Sequence, residues 1–355
     1  MGNLISLIKD LIRIDSSTKQ GANEAIAYCE NWLLARGLTV NKLKNNGFDI
    51  LICEVGSGEK TLILNGHVDV VSGKEIQFQP YEAEGKLYGR GSADMKAGVA
   101  AMMFAMADLK DEKLNSKIQL QLVTDEEIGG YNCTKYLTES GYVGEFVICA
   151  EPTNLGIGLQ AKGVLQLDIL VRGKSAHGSR PWEGENAILR SYELYKNILS
   201  LPFAKESSEF FRYPSINLAK ITGGEVYNKV PDACVMSLDI RFLPFQNRQM
   251  IIDQIRSIDK CEVEVVLYGD PVMNSADNIH IQSLVSQIRA NTDKDKVEIF
   301  GQHGFADTRY FSKFGIPAIE FGPAGNFWHG DNEYVDLKSV ETYKEILIEF
   351  AKSFK

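Results

Sequence analysis

The chain has 355 residues, 44% apolar and 24% charged, with a formal net charge of −9 at pH 7. That length exceeds what one hydrophobic core ordinarily serves, so two domains are expected. The negative balance argues against a nucleic-acid partner, which wants a basic face, and against an anionic membrane surface. No apolar run approaches the roughly 18 residues that span a bilayer, and Met1–Lys9 lacks a basic segment ahead of an apolar one.

Leu4, Leu7, Ile8, Leu11 and Ile12 follow a helical period and predict a packed first helix. That reading outweighs the match of Met-Gly-Asn-Leu-Ile-Ser to a myristoylation pattern. Ala25 to Arg36 is amphipathic, with Ile26, Cys29, Trp32 and Leu33 on one face and Gly37 as its C-terminal stop. Strand-like runs follow at Asp49–Val55, Thr61–Leu64, Ile118–Val123 and Phe146–Cys149, with an alanine- and methionine-rich helix at Ala97–Leu109. The alternation predicts an α/β fold, a mainly parallel twisted sheet flanked by helices.

From Lys162 the texture changes. Val164–Val171, Asn186–Ile198, Ser215–Ile221, Cys234–Phe242, Arg248–Ile258 and Cys261–Leu267 read β-α-β-β-α-β, the split ferredoxin-like unit. The helix-strand pattern resumes with Ile281–Ile288, a strand near Pro317–Phe321 and a helix from Ser339 to Phe350. The expected organisation is therefore a first domain at 1–161 and 272–355, with a ferredoxin-like α+β domain inserted at 162–271. Six cysteines form no C-x-x-C pair and sit in apolar segments, which reads as the reduced core of a cytosolic protein.

The chemistry lies in short motifs at strand ends: His67 and Asp69 in G-H-V-D-V, Asp94 in G-S-A-D-M-K-A-G, Glu126 and Glu127 in T-D-E-E-I-G-G, Glu151 in A-E-P-T, and His329 in F-W-H-G-D-N-E. Imidazole nitrogens mixed with carboxylate oxygens are the ligand set of zinc, cobalt or manganese. Two imidazoles and three carboxylates, with two further acids left over, are too many for one tetrahedral ion and suit two ions sharing a carboxylate. Each segment alone has a plainer explanation. H-x-D is commonly a satisfied surface histidine, Asp94 suits an N-terminal helix cap, and Glu126–Glu127 suits a solvated acidic loop. All five together, outside the carboxyl ends of strands where open α/β sheets place their sites, point to hydrolysis at a metal centre.

Other chemistries leave no comparable mark. There is no G-x-S-x-G elbow and no G-x-x-x-x-G-K-[ST] loop. Gly156–Ala161 resembles a dinucleotide fingerprint but leads into a strand instead of opening a helix.

In order and local sequence, these motifs resemble the acetylornithine deacetylase, succinyl-diaminopimelate desuccinylase, aminoacylase and carboxypeptidase G family of co-catalytic zinc amidohydrolases, over essentially the whole chain. The resemblance implies a zinc-exopeptidase-like catalytic domain with two divalent ions, zinc first and cobalt or manganese as alternatives. It implies that Asp94 bridges them, that His67 and Glu151 hold one, and that Glu127 and His329 hold the other. Glu126 would be the general base and Asp69 the partner of His67. The inserted domain would be a lid that also makes a homodimer, carrying His177 of Gly173–Ser179 into the neighbouring site. Asn228, Arg241 and Asn326 match substrate-contacting positions, although Arg241 equally suits a structural ion pair. Two departures bear on substrate. Phe305 and Ala306 stand where small hydroxyl residues commonly precede the aspartate, here Asp307, and Ala161 precedes Lys162 where desuccinylase-like relatives tend to have arginine. Both favour a small acyl group, with N-acetylornithine first, succinyl-diaminopimelate second, and di- or tripeptides or varied acylamino acids after them.

Overall fold

Two polar side chains open the first helices of the computed structural model. Asn3 accepts the Ser6 N–H ahead of α1 (Leu4–Arg13), and Thr18 accepts that of Gly21 ahead of α2 (Lys19–Leu34). The Thr18 cap starts α2 well before the apolar face begins at Ala25. Residues 3–259, 261–292, 296–304 and 306–355 are described. They divide into a first unit of residues 3–159, 274–300 and 306–355 and a second of 160–273 and 301–304.

In the first unit, β1 (Val40–Asn45) and β2 (Phe48–Val55) form a hairpin. Its turn needs Asn46 and Gly47, both at positive φ, as two-residue hairpin turns do. Then come β3 (Thr61–His67), β4 (Tyr81–Ala83), β5 (Lys86–Tyr88), α3 (Ala97–Leu109), β6 (Lys117–Val123), α4 (Thr134–Glu139), β7 (Phe146–Cys149) and β8 (Ile157–Ala161). The second unit holds β9 (Gly163–Arg172), α5 (Ala187–Ile198), β10 (Ser215–Gly223), β11 (Ala233–Phe242), α6 (Arg248–Ile258), β12 (Glu262–Gly269) and β13 (Val272–Met273). The chain closes with α7 (Ile279–Asn291), β14 (Ile299–Gln302), α8 (Thr308–Ser312), β15 (Ala318–Glu320), β16 (Gly325–Asn326), β17 (Tyr334–Asp336) and α9 (Leu337–Ser353).

The main sheet runs β1-β2-β6-β3-β7-β15-β8. Its centre is parallel, through the β6–β3, β3–β7 and β7–β15 ladders, and its flanks are antiparallel. The central strands are buried on both faces, β7 as a continuous apolar run and β6 with Gln119 and Gln121 buried between its apolar residues. Helix α3 is buried almost all round and packs against α1 and α9. Register places His67 beside Val123 and Asn65 beside Cys149, so three parallel strands release their chains at one edge. A small antiparallel sheet, β16-β17-β5-β4, frames the loop that carries His329.

The second unit has strand order β10-β11-β9-β12, antiparallel throughout. With its β-α-β-β-α-β order this is the ferredoxin-like arrangement. Leu165, Leu167, Ile169 and Val171 alternate along β9 and meet Leu194 and Ile198 of α5 and Ile251 and Ile255 of α6. The run at Gly156–Ala161 contributes strand β8 and opens no helix. All six cysteines are free, five of them buried and Cys261 half-buried. Among the described residues no helix is long and apolar enough to cross a membrane.

Candidate metal centre

His67 is the last residue of β3 and is buried, 1% exposed. Its Nδ1 lies 2.9 Å from the main-chain carbonyl of Asp69, which accepts the ring proton and turns Nε2 toward Asp94. Sequence spacing suggests the Asp69 carboxylate for this role. That carboxylate stands farther off, at 3.6 Å, because the turn after β3 brings the carbonyl under the ring. Instead it accepts the Glu127 N–H at 3.0 Å and ties two motifs together.

Asp94 follows β5 and caps no helix: α3 begins at Ala97, and Asp94 itself has φ −116° and ψ 94°. The capping explanation therefore fails, and the side chain is free for other partners. Its Oδ1 lies 3.2 Å from His67 Nε2, and its Oδ2 lies 3.3 Å from His329 Nε2. Glu151, just past β7, brings Oε1 to 3.9 Å from His67 Nε2. Glu127, in the turn after β6, brings Oε2 to 3.2 Å from His329 Nε2. His329 sits at φ +63° in the loop between β16 and β17, half-exposed. The five residues fall into two ligand groups, His67–Asp94–Glu151 and Asp94–Glu127–His329, each with its donor atoms within 4.8 Å of one another.

Electrostatics describe the same place. Burial works against Asp94, but hydrogen bonds with His329 and His67 hold its carboxyl well below the usual range. Burial also resists protonation of His67, yet Asp94, Asp69 and Glu151 raise it well above its ordinary value. Asp94 and Glu127 push His329 up to about 10. Burial lifts Asp69 to about 7, and burial together with Asp94 raises Glu151. Carboxylates crowded away from water need positive charge among them, from ring protons or from divalent cations. Nitrogen and oxygen donors in this mixture fit zinc, cobalt or manganese, and one carboxylate offering an oxygen to each group fits a pair of ions.

Glu126 and Glu127 diverge as adjacency predicts. Glu127 meets His329, while Glu126 is raised by burial and by the charges of Asp307, Asp94 and Asp69, against the pull of His67. Several supports carry no periodic signal. Asp125 is buried and accepts the N–H groups of Asn132 and Cys133, shaping the loop. Arg309 and Tyr310 both bond the Gly129 carbonyl, and Asp307 accepts the Thr134 hydroxyl. Ala306 is buried, whereas Phe305 lies outside the described residues. Lys96, two residues past Asp94, is buried and donates to the carbonyls of Leu11 and Ile14 at 2.9 and 3.0 Å. The first acid of T-D-E-E and the last of H-G-D-N-E, Glu333, are the motif members that local reading passes over.

The remaining residues make other contacts. Asn326 is exposed on β16, its side chain accepting the Phe327 N–H at 2.8 Å. In the second unit, His177 is exposed with Nδ1 2.8 Å from Ser179 Oγ, and the adjacent Gly178 N–H bonds the Asn228 carbonyl. Arg241 pairs with Asp239 at 2.8 and 3.3 Å, the structural ion pair its sequence allowed. The other two histidines pack against aromatic rings, His280 tilted against Phe146 and Phe354 and His303 edge-on to Phe211.

Known proteins give this arrangement a context. A probable succinyl-diaminopimelate desuccinylase of Staphylococcus aureus is 27% identical, covering 89% of this chain and 88% of its own. An acetylornithine deacetylase of Proteus mirabilis is 26% identical, covering 96% and 92%. Among solved structures, aminopeptidase PepT of Bacillus cereus matches with a TM-score of 0.84 at 19% identity, over 98% of this chain and 97% of its own. A dinuclear metal-binding M20 peptidase of Bacillus subtilis matches with a TM-score of 0.78 at 14% identity, over 99% and 97%. These two likenesses speak for the fold. The family model described as Peptidase family M20/M25/M40 matches residues 63–353, and on that match the chain belongs to this family of hydrolases.

Proposed function

We propose that the protein hydrolyses the amide bond of a small N-acyl amino acid at two divalent cations, zinc first, with N-acetylornithine as the leading substrate. That places it in the cytoplasm and in arginine biosynthesis. The observation that supports the reading best is Asp94, with one oxygen toward each of two imidazole–carboxylate groups. Cations held there would polarise the acyl carbonyl and lower the pKa of a water. Glu126, half-buried in the turn that also carries Glu127, takes a proton from the attacking water and delivers it to the leaving nitrogen. Asp69 serves twice, its carbonyl fixing the His67 tautomer and its carboxylate fixing the Glu127 backbone.

His177 of a second copy steadies the substrate carbonyl oxygen in a homodimer formed through the ferredoxin-like unit, a role compatible with its exposure. Asn228 and Asn326 contact substrate, whereas Arg241, already paired with Asp239, is better read as structural.

Succinyl-diaminopimelate is the second reading, favoured by the names of relatives from Staphylococcus aureus and Ehrlichia chaffeensis. Against it stand Ala161 before Lys162 and Ala306 before Asp307, neither of which supplies a hydrogen-bond donor from its side chain. Turnover of acetylornithine, succinyl-diaminopimelate, acetylmethionine and a dipeptide by zinc-reconstituted protein separates them. Acetylornithine is expected to be fastest, and a faster succinyl substrate replaces the leading reading with the second. Glu126→Ala should lose about 10²–10⁴-fold in kcat with both ions retained. Near-normal turnover would remove Glu126 as the base.

A further inference from the structure

The shared aspartate and the half-exposed histidine both stand on loops, and one buried ion pair touches both. Arg90 and Glu333 meet at 2.7 Å with side chains 3% and 1% exposed. The Glu333 carboxylate also accepts the main-chain N–H groups of Gly91 at 3.0 Å, Ala93 at 3.0 Å and Asp94 at 3.1 Å. From the same pair, Arg90 donates to the His329 carbonyl at 3.3 Å.

We propose that the Arg90–Glu333 pair is a clasp that sets the Asp94–Glu127–His329 site separately from the His67–Asp94–Glu151 site, with both residues acting as positioning residues. The proposal rests on the metal-centre reading above. His329 is held in left-handed backbone, a conformation that persists in a non-glycine residue only when its surroundings enforce it. Beside the clasp, the loop is held by Gln77, whose Nε2 reaches the Gly330 carbonyl at 3.0 Å, by the exposed Lys74–Asp331 pair, and by main-chain bonds that include Gly330 N–H to the Phe327 carbonyl and Gly89 N–H to the Glu333 carbonyl. His67 and Glu151 take their places from β3 and β7, paired in parallel register, and neither is bonded to the clasp. Asp94 is common to both groups, but only the second adds the tethered His329, so loss of the clasp should weaken that group far more than the first, where a pair that merely stabilised the core would weaken both alike.

Zinc titrated calorimetrically into chelator-stripped, full-length protein decides the matter, with circular dichroism to verify folding. Wild type should take up two ions. Arg90→Lys keeps the charge but loses the fork that spans Glu333 and the His329 carbonyl. Glu333→Gln keeps an acceptor for the Ala93 and Asp94 N–H groups but loses its charge. Each should bind one ion about 10–100-fold more weakly, with a much smaller change in Kd for the other. Adding His329→Ala to either variant should then abolish binding at the weakened site and leave the other ion bound. Equal weakening of both sites, or weakening of neither, overturns the clasp while leaving the metal centre intact. A wild type that takes up no divalent ion overturns the centre and the clasp with it. If one variant fails to fold, the other carries the test.

Discussion

The two halves of the metal centre are made of different materials. His67 and Glu151 stand at the ends of parallel strands, and the His67 side chain is only 1% exposed. His329 stands on a loop, at positive φ, with its side chain 51% exposed, and its partner Glu127 occupies a short turn. Strand ends come with their spacing already fixed by the ladder, so the first half is organised by the fold itself. The second half is assembled by tethers between loops, which makes its geometry easier to tune and easier to lose.

The sharpest way to break this contrast is to remove what the halves share. Asp94→Ala should reduce turnover by several powers of ten and bring metal content below one ion per chain. Two ions retained by that variant would mean the aspartate is not shared. A smaller effect should distinguish the two histidines. In chelator-stripped protein, His67→Ala opens a buried cavity and should cost about 2–5 kcal/mol of unfolding free energy. Above pH 10, where the His329 ring has lost its charge, His329→Ala should leave the unfolding midpoint almost unchanged. Equal destabilisation would erase the distinction between strand-borne and loop-borne ligands.

The mildest effect is in pH. His329 is raised from its ordinary 6.5 to about 10, so the stability it contributes to stripped protein is fully present below pH 6.5 and lost as pH rises through 10. The difference in thermal midpoint between wild type and His329→Asn should shrink across that window. A difference constant over the same range would rule out an imidazolium held between Asp94 and Glu127.

Much of the fold could be read from local pattern. Helices α3 and α6 begin and end where their composition and period place them, and the alternation of β9 and β11 marks the ferredoxin-like unit. The strands of the small sheet, two or three residues long, are too short to show a period. At the site, the five candidate ligand residues were legible because their motifs are short, and those of His67, Glu127 and Glu151 fall at or just past strand ends. The Asp69 carbonyl was not, because H-x-D spacing speaks of side chains and the turn decides which oxygen arrives. Nor was the Arg90–Glu333 pair, which joins positions 243 residues apart with no repeating signal between them. The substrate is equally silent, since its choice depends on individual side chains that follow no period.

Lys96 carries one more lesson. By seating its ammonium on the last carbonyls of α1, it makes the opening segment of the chain a strut for the aspartate two residues away. Burial already lowers that amine to about 7. A proteolytic nick or trimmed start that removed α1 would strand it among apolar side chains. Damage at the far tip of the polypeptide would then reach the reaction chamber without touching a single coordinating atom.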